Sequence, residues 1–191
     1  MDLVPTPSQT VGPFFHLGLT ADKQCISHIA GPQAKGERVW LSCRVFDGDG
    51  SAVSDSMIEV WQADSEGRYP SPDDTQSKAG DPGSRGFGRM ATSEDGRCEF
   101  ETIRPGRVLG PGSVLQAPHL EMAIFARGML KQLFTRMYFF DAAANREDPV
   151  LALVPQERRE TLMARPDSAR PGHWHFDIHL QGDKETVFFD V

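Results

Sequence analysis

The chain has 191 residues, the length of one domain, and its 39% hydrophobic and 9% aromatic content is enough to bury ~70% of the unfolded surface. That composition excludes intrinsic disorder over most of the chain. Twenty basic against 27 acidic residues leave a net charge of −7, the wrong sign for a protein that lives on phosphate backbones, so nucleic acid is not an expected partner.

The chain opens on MDLVPTPSQTVGPFF. No basic segment followed by an apolar run appears there, and no apolar stretch approaches the ~20 residues that span a bilayer, so a cytoplasmic chain without a membrane partner is expected. Pro5, Pro7 and Pro13 each fix φ and remove a donor, which predicts an extended arm over residues 1–18 rather than a helix. Phe14 and Phe15 at its apolar end need a docking surface. Cys25, Cys43 and Cys98 are odd in number and widely spaced, which predicts free thiols in a reducing compartment, not a disulfide framework or a CxxC zinc site.

From Arg38 to Phe46 the row RVWLSCRVF alternates with period 2 and reads as a strand. DGDG at 47–50 supplies turn chemistry, and MIEVWQA at 57–63 alternates again as the returning half of a hairpin. Residues 70–86 hold so much Gly, Pro, Ser and Asp that they read as a long exposed loop. A second hairpin is predicted from GRMATS, EDGR and CEFETI. A third is predicted from HLEMAIFARG and KQLFTRMYFF, turning at Arg127 to Met129, and a last one around Gly182 and Asp183. PQERRETLMA at 155–164 has proline at the first helical position and good helix formers behind it, so one short helix is placed there. Short strands separated by turn signals predict an all-β fold, a single antiparallel β-sandwich over 1–191 with long loops.

Three groups of residues could carry chemistry. His173, His175 and His179 share one face of one strand and could hold a metal; the same alternation turns Trp174, Phe176 and Ile178 inward and leaves the imidazoles facing solvent. His119 and Glu121 stand side by side on another strand, which makes half a metal site, and Tyr69 ends a turn where a phenol could serve as a hard oxygen ligand. Arg127 and Arg136 flank the third hairpin, and either could grip an anion through its planar fork. No G-x-S-x-G, Walker loop, dinucleotide fingerprint or HExxH motif is present. A self-sufficient metalloenzyme built on the three histidines and a non-catalytic binding β-sandwich are the readings these residues leave open.

The segments PSQTVGPFFHLGL, DSMIEVWQADSEGRY, GFGRMATSEDGRCEF with TIRPG, APHLEMAIFARG, TRMYF and QGDKETVFFDV together resemble the intradiol ring-cleavage dioxygenases over nearly the whole chain, and within that family an α-type chain. The resemblance implies a homologous β-type partner, also a β-sandwich, and a symmetric oligomer of heterodimers. It implies O₂-dependent cleavage of a carboxylated catechol, protocatechuate, between its hydroxyl-bearing carbons to 3-carboxy-cis,cis-muconate.

In that family the catalytic chain holds a non-haem ferric ion with two tyrosines and two histidines. Position by position these fall here on Tyr69, Val108, His119 and Glu121, and an arginine three residues before the first histidine falls on Gln116. Two ligands are thereby lost, so the resemblance implies that the Fe(III) belongs to the β partner and that no catalytic residue resides in this chain. What the α-type chain contributes is a wall of the substrate cleft, carried over to Thr10, Gly12, Pro13, Phe14 and Arg127. Gly12 would permit close backbone approach to the ligand, Pro13 would stiffen the arm, and Arg127 would face the substrate carboxylate.

Overall fold

The computed structural model describes residues 6–21 and 26–190. Eight strands run in chain order: β1 (Arg38–Phe46), β2 (Met57–Trp61), β3 (Phe87–Ala91), β4 (Arg97–Ile103), β5 (His119–Phe125), β6 (Leu133–Phe139), β7 (Met163–Pro166) and β8 (His173–His179). Their order in space is β3-β2-β5-β6-β7-β8-β1-β4. β7 pairs with β6 through Met163 and Ala164 and with β8 through Arg165 and Pro166, so it stitches two four-stranded layers into one sheet. The turn between β3 and β4 joins the two outermost strands and nearly closes the sheet on itself. The fold is the expected all-β sandwich, but two of its ladders, β1 with β8 and β6 with β7, are parallel.

The apolar faces of the two layers meet in one core. Val39, Leu41, Cys43 and Val45 of β1, with Trp174, Phe176 and Ile178 of β8, pack against Ile58, Val60, Leu120, Met122 and Ile124 of the other layer. Burying those alternate positions is the main driving force for the sandwich. Cys43 and Cys98 are free, buried and opposite one another on β1 and β4; Cys25 lies outside the described residues. Among the described residues no helix is long and apolar enough to cross a membrane.

Only the third of the four predicted hairpins forms, as the β5–β6 ladder. β1 reaches no ladder with β2: the Asp47 carboxylate accepts from the N–H groups of Asp49 and Ser51, the chain doubles back only as far as Val53, whose N–H donates to the Val45 carbonyl, and it then crosses to the other layer. β3 and β4 leave a tight turn closed by the Ser93 N–H to the Arg97 carbonyl, but one pairs with β2 and the other with β1. Both corners follow from burial, because each strand's apolar side must face the opposite layer. After β8 the chain makes its turn, bonds once more at Thr186 to His179, and then runs across to β6, where the Phe189 N–H donates to the Phe134 carbonyl.

The helices also differ from expectation. Residues 6–12 carry no regular structure, but Pro13 opens a seven-residue helix, α1 (Pro13–Leu19), since a proline at the first helical position costs nothing. Residues 1–5 of the expected arm lie outside the described residues. In place of a helix over 155–164 stand 3₁₀ turns at Gln156–Leu162, and Met163 and Ala164 already belong to β7. A short helix not foreseen, α2 (Pro149–Leu153), is capped by Asp148, whose carboxylate accepts from the N–H groups of Val150 and Leu151.

Residues 64–86 form the long loop. Asp64 accepts from the backbone of Glu66 and Arg68 through one carboxylate oxygen and from Asp81 through the other, each at 2.9 Å. Gly67 has φ +75 and packs against the Arg107 backbone, which sets Tyr69 beside the segment that carries Val108. A Cβ on Gly67 would land on the Arg107 carbonyl in a conformation that L-residues avoid. Gly67→Ala is therefore expected to destabilise the protein by about 2 kcal/mol or more. A urea midpoint unchanged from the parent would contradict this.

Candidate functional site

β5 and β6 carry two groups of residues at opposite ends of one outward face. At one end the ladder sets His119 opposite Tyr138 and Glu121 opposite Arg136, while Trp61 of β2 lies opposite Glu121 on its other side. Tyr69 stacks on Trp61 with ring centroids 6.0 Å apart. Val108 is buried at the head of the 108–116 segment, which folds back so that the Gln116 N–H donates to the Val108 carbonyl. The structure thus brings Tyr69, His119, Glu121 and the Gln116 side chain to one neighbourhood, beside an open cavity of about 470 Å³ lined by Trp61, Phe87, Glu121, Phe134, Arg136 and Phe189.

A guanidinium occupies the middle of that neighbourhood. Arg136 donates through one terminal nitrogen to Glu121 at 2.7 Å and through the other to the Gln116 side-chain oxygen at 2.6 Å, with the Tyr138 hydroxyl 3.5 Å away. Tyr138 in turn donates to Asp148 at 3.2 Å, and the same carboxylate accepts from the Ala117 N–H at 2.7 Å. The buried His119 donates from Nδ1 to the Ala117 carbonyl at 2.7 Å, and its Nε2 lies 3.3 Å from Glu121.

The titration of these groups follows from the arrangement. Burial opposes ionisation of Glu121, but the His119 contact and the Arg136 charge outweigh it and hold the carboxyl below its ordinary range. Burial, reinforced by the Glu121 charge, pushes the Tyr69 phenol up to about 12. Burial is also the main reason that the Tyr138 phenol is raised.

At the other end, beyond Phe125, the N-terminal arm meets the β5–β6 turn. The Gly128 N–H donates to the Thr10 hydroxyl at 2.8 Å, and Phe15 of α1 packs on Phe125 with centroids 5.6 Å apart. Arg127, 72% exposed, donates through Nε to Asp55. Phe14 is 83% exposed, and among the described residues no heavy atom lies within 4 Å of where a Cβ on Gly12 would sit. Thr10 and Arg127 are therefore neighbours, with Gly12 and Phe14 turned to the outside. At ~3.3 Å per residue β5 puts roughly 13 Å between Glu121 and Phe125 and roughly 20 Å between His119 and Phe125, so the arm cluster and the Glu121–Arg136 pair occupy separate places on the face.

His173, His175 and His179 do share one face of β8, outside the core. Each is engaged separately: His173 stacks on Trp40, His179 stacks on Phe46, and His175 Nε2 lies 3.1 Å from Asp167. They form three separate pairs rather than one constellation. Sequence reasoning noted Arg136 as a possible anion-binding group but missed its pairing with Glu121, and it missed Asp148 and Asp55 altogether. The signal for the first was present: opposite charges on facing strands of a predicted hairpin, once the turn is centred between Gly128 and Met129.

A family model described as "Dioxygenase" matches residues 10–182. The chain is 46% identical to the protocatechuate 3,4-dioxygenase alpha chain of Burkholderia cepacia, with 99% of this chain and 98% of that protein covered. It is 42% identical to the protocatechuate 3,4-dioxygenase alpha chain of Pseudomonas putida, covering all of this chain and 98% of that one. The protocatechuate 3,4-dioxygenase beta chain of Burkholderia cepacia is 33% identical over 79% of this chain and 67% of its own length. The chain belongs to the intradiol ring-cleavage dioxygenases, a family that uses non-haem iron, and within it to the group of the protocatechuate 3,4-dioxygenase alpha chains.

Proposed function

We propose that this chain is the non-iron-binding α subunit of a protocatechuate 3,4-dioxygenase, working with a homologous β subunit in a symmetric oligomer of heterodimers. The complex cleaves protocatechuate with O₂ between its hydroxyl-bearing carbons to give 3-carboxy-cis,cis-muconate. The ferric ion, which supplies the chemistry that activates the catechol ring, is held by the β subunit. No catalytic residue is assigned to the α chain.

The observation that carries this reading is the Arg136 guanidinium, 2.7 Å from Glu121 at the position that corresponds to a ligand set. A ferric ion requires anionic oxygen and imidazole donors pointed at one empty centre. Here one expected phenolate position is Val108, one expected imidazole position is Glu121, and that carboxylate is already paired with a fixed cation. These residues do not fit the ion. An arginine carries its own charge and needs no metal to neutralise Glu121.

The arm cluster supports the other half of the proposal. Thr10, Gly12, Pro13, Phe14 and Arg127 wall the substrate cleft of the β subunit rather than a cleft of their own chain. Roughly 20 Å of β5 separates Phe125, next to this cluster, from His119. The exposed Phe14 and the open space beside Gly12 suit contact with a neighbouring chain. Arg127 supplies a local positive charge on an acidic chain, placed to receive the carboxylate that distinguishes protocatechuate from catechol.

Iron and the visible colour of a ferric enzyme are expected in the complex and not in this chain purified alone; stoichiometric iron in the isolated chain would overturn the assignment. Glu121→Ala leaves a partly buried donor of Arg136 without its acceptor and, with solvent screening the exposed side, should cost about 1 kcal/mol of stability. Because the Glu121 carboxyl sits below its ordinary value when folded, its contribution is present above ~4.3, the unfolded value, and is lost as pH falls through the folded one. The variant should therefore show a flatter acid limb in a plot of unfolding midpoint against pH. Arg127→Ala in the assembled complex should raise KM for protocatechuate on the order of tenfold while moving KM for catechol little. Equal changes for both substrates in steady-state kinetics would remove the charge-recognition role.

A further inference from the structure

Arg127 is a long, mostly exposed side chain at a turn, and such a side chain ordinarily samples many rotamers. In this fold it does not stand alone. Its Nε donates to Asp55, which lies in the connection between β1 and β2 and is far away in sequence. A carboxylate engaged at Nε leaves the two terminal nitrogens pointing away, and among the described residues these hold no other partner. That end of the guanidinium is the one that grips a second carboxylate with two parallel hydrogen bonds.

The carboxylate of Asp55 stands on a rigid base. The next residue, Ser56, is fully buried, and its N–H donates to the Thr92 hydroxyl at 3.1 Å while the two hydroxyls lie 3.0 Å apart. The Thr92 hydroxyl donates in turn to the Val53 carbonyl at 2.8 Å, and the Thr92 N–H to the Ser56 carbonyl at 2.9 Å. These bonds fix residues 53–56 from both sides. On the other flank, Ala126 is buried and Gly128 is tied to Thr10. The backbone of Arg127 and the carboxylate that meets its side chain are thus both anchored, although the ion pair itself is exposed and by itself adds little to folding.

We propose that Asp55 is a positioning residue for Arg127, holding the guanidinium by Nε so that its terminal fork is presented, already ordered, to the carboxylate of the aromatic substrate. This rests on the reading that Arg127 faces substrate bound by the partner subunit. Ordering the side chain before binding removes a rotamer cost that substrate would otherwise bear. Asp55 touches no substrate and acts only through Arg127.

The test is a double-mutant cycle in the assembled αβ enzyme, with protocatechuate and catechol as paired substrates. Asp55→Asn keeps the shape and removes the charge. It is expected to raise KM for protocatechuate about three- to tenfold, with kcat and the KM for catechol unchanged. In an Arg127→Ala background the same substitution should add nothing, which a merely structural role of Asp55 would not produce. If Arg127→Ala shows the selective loss and Asp55→Asn does not, the positioning role alone is overturned. A fall in KM for protocatechuate, as relief of repulsion between two carboxylates would give, overturns it as well. If Arg127→Ala is itself without selective effect, the reading of Arg127 fails and the role of Asp55 fails with it.

Discussion

The register of β5 against β6 is the constraint on which both ends of the site depend. Because side chains alternate across a sheet, pairing Glu121 with Arg136 puts His119, Tyr138, Phe134 and Trp61 on the same outward face and sends Leu120, Met122, Ile124 and Met137 into the core. A slip of one residue on β6 would bury Arg136 between the layers and turn Met137 outward. The core therefore enforces the polar arrangement. The same register decides that the turn beyond Phe125 delivers Gly128 to Thr10 and Arg127 to Asp55.

Two carboxylates stabilise this face in different ways. Asp148 is buried and makes no ion pair among the described residues; it is satisfied by the N–H groups of Ala117, Val150 and Leu151 and by the Tyr138 hydroxyl, so it ties α2, β6 and the start of β5 into one unit. Glu121 is only half-buried and is held ionised chiefly by what faces it, His119 and Arg136. Where a metalloenzyme would gather several anionic and imidazole ligands around a cation from solution, this chain supplies the cation covalently on β6. Glu121 is thus balanced by a charge that belongs to the fold itself.

Much of the fold was legible in the sequence. The period-2 rows of β1, β5, β6 and β8 and the inward set Trp174, Phe176 and Ile178 stand where alternation puts them. The hairpins after β1 and β3 were misread because turn chemistry reports only that the chain reverses. DGDG and EDGR are as good at a corner between layers as in a hairpin, and the choice lies in which opposite face each strand must bury. The helix at 155–164 failed because Leu162 and Ala164 are drawn into two different packing clusters, which pulls the chain out of helical geometry and into β7. α2 had a readable start, an aspartate before a proline, but only tertiary packing on Leu151 and Val154 makes so short a helix persist.

By itself the sequence determined the all-β class and the family, because these are properties of residue type and local order. It could not determine that Arg136 pairs with Glu121, that Asp148 links three elements, or that Asp55 meets Arg127 across more than seventy residues of chain. Those are long-range contacts, and they exist only once the two layers close on their apolar faces and bring distant segments to the same edge. Alternation tells which side of a strand a residue occupies, but only the packed sheet decides what stands across from it.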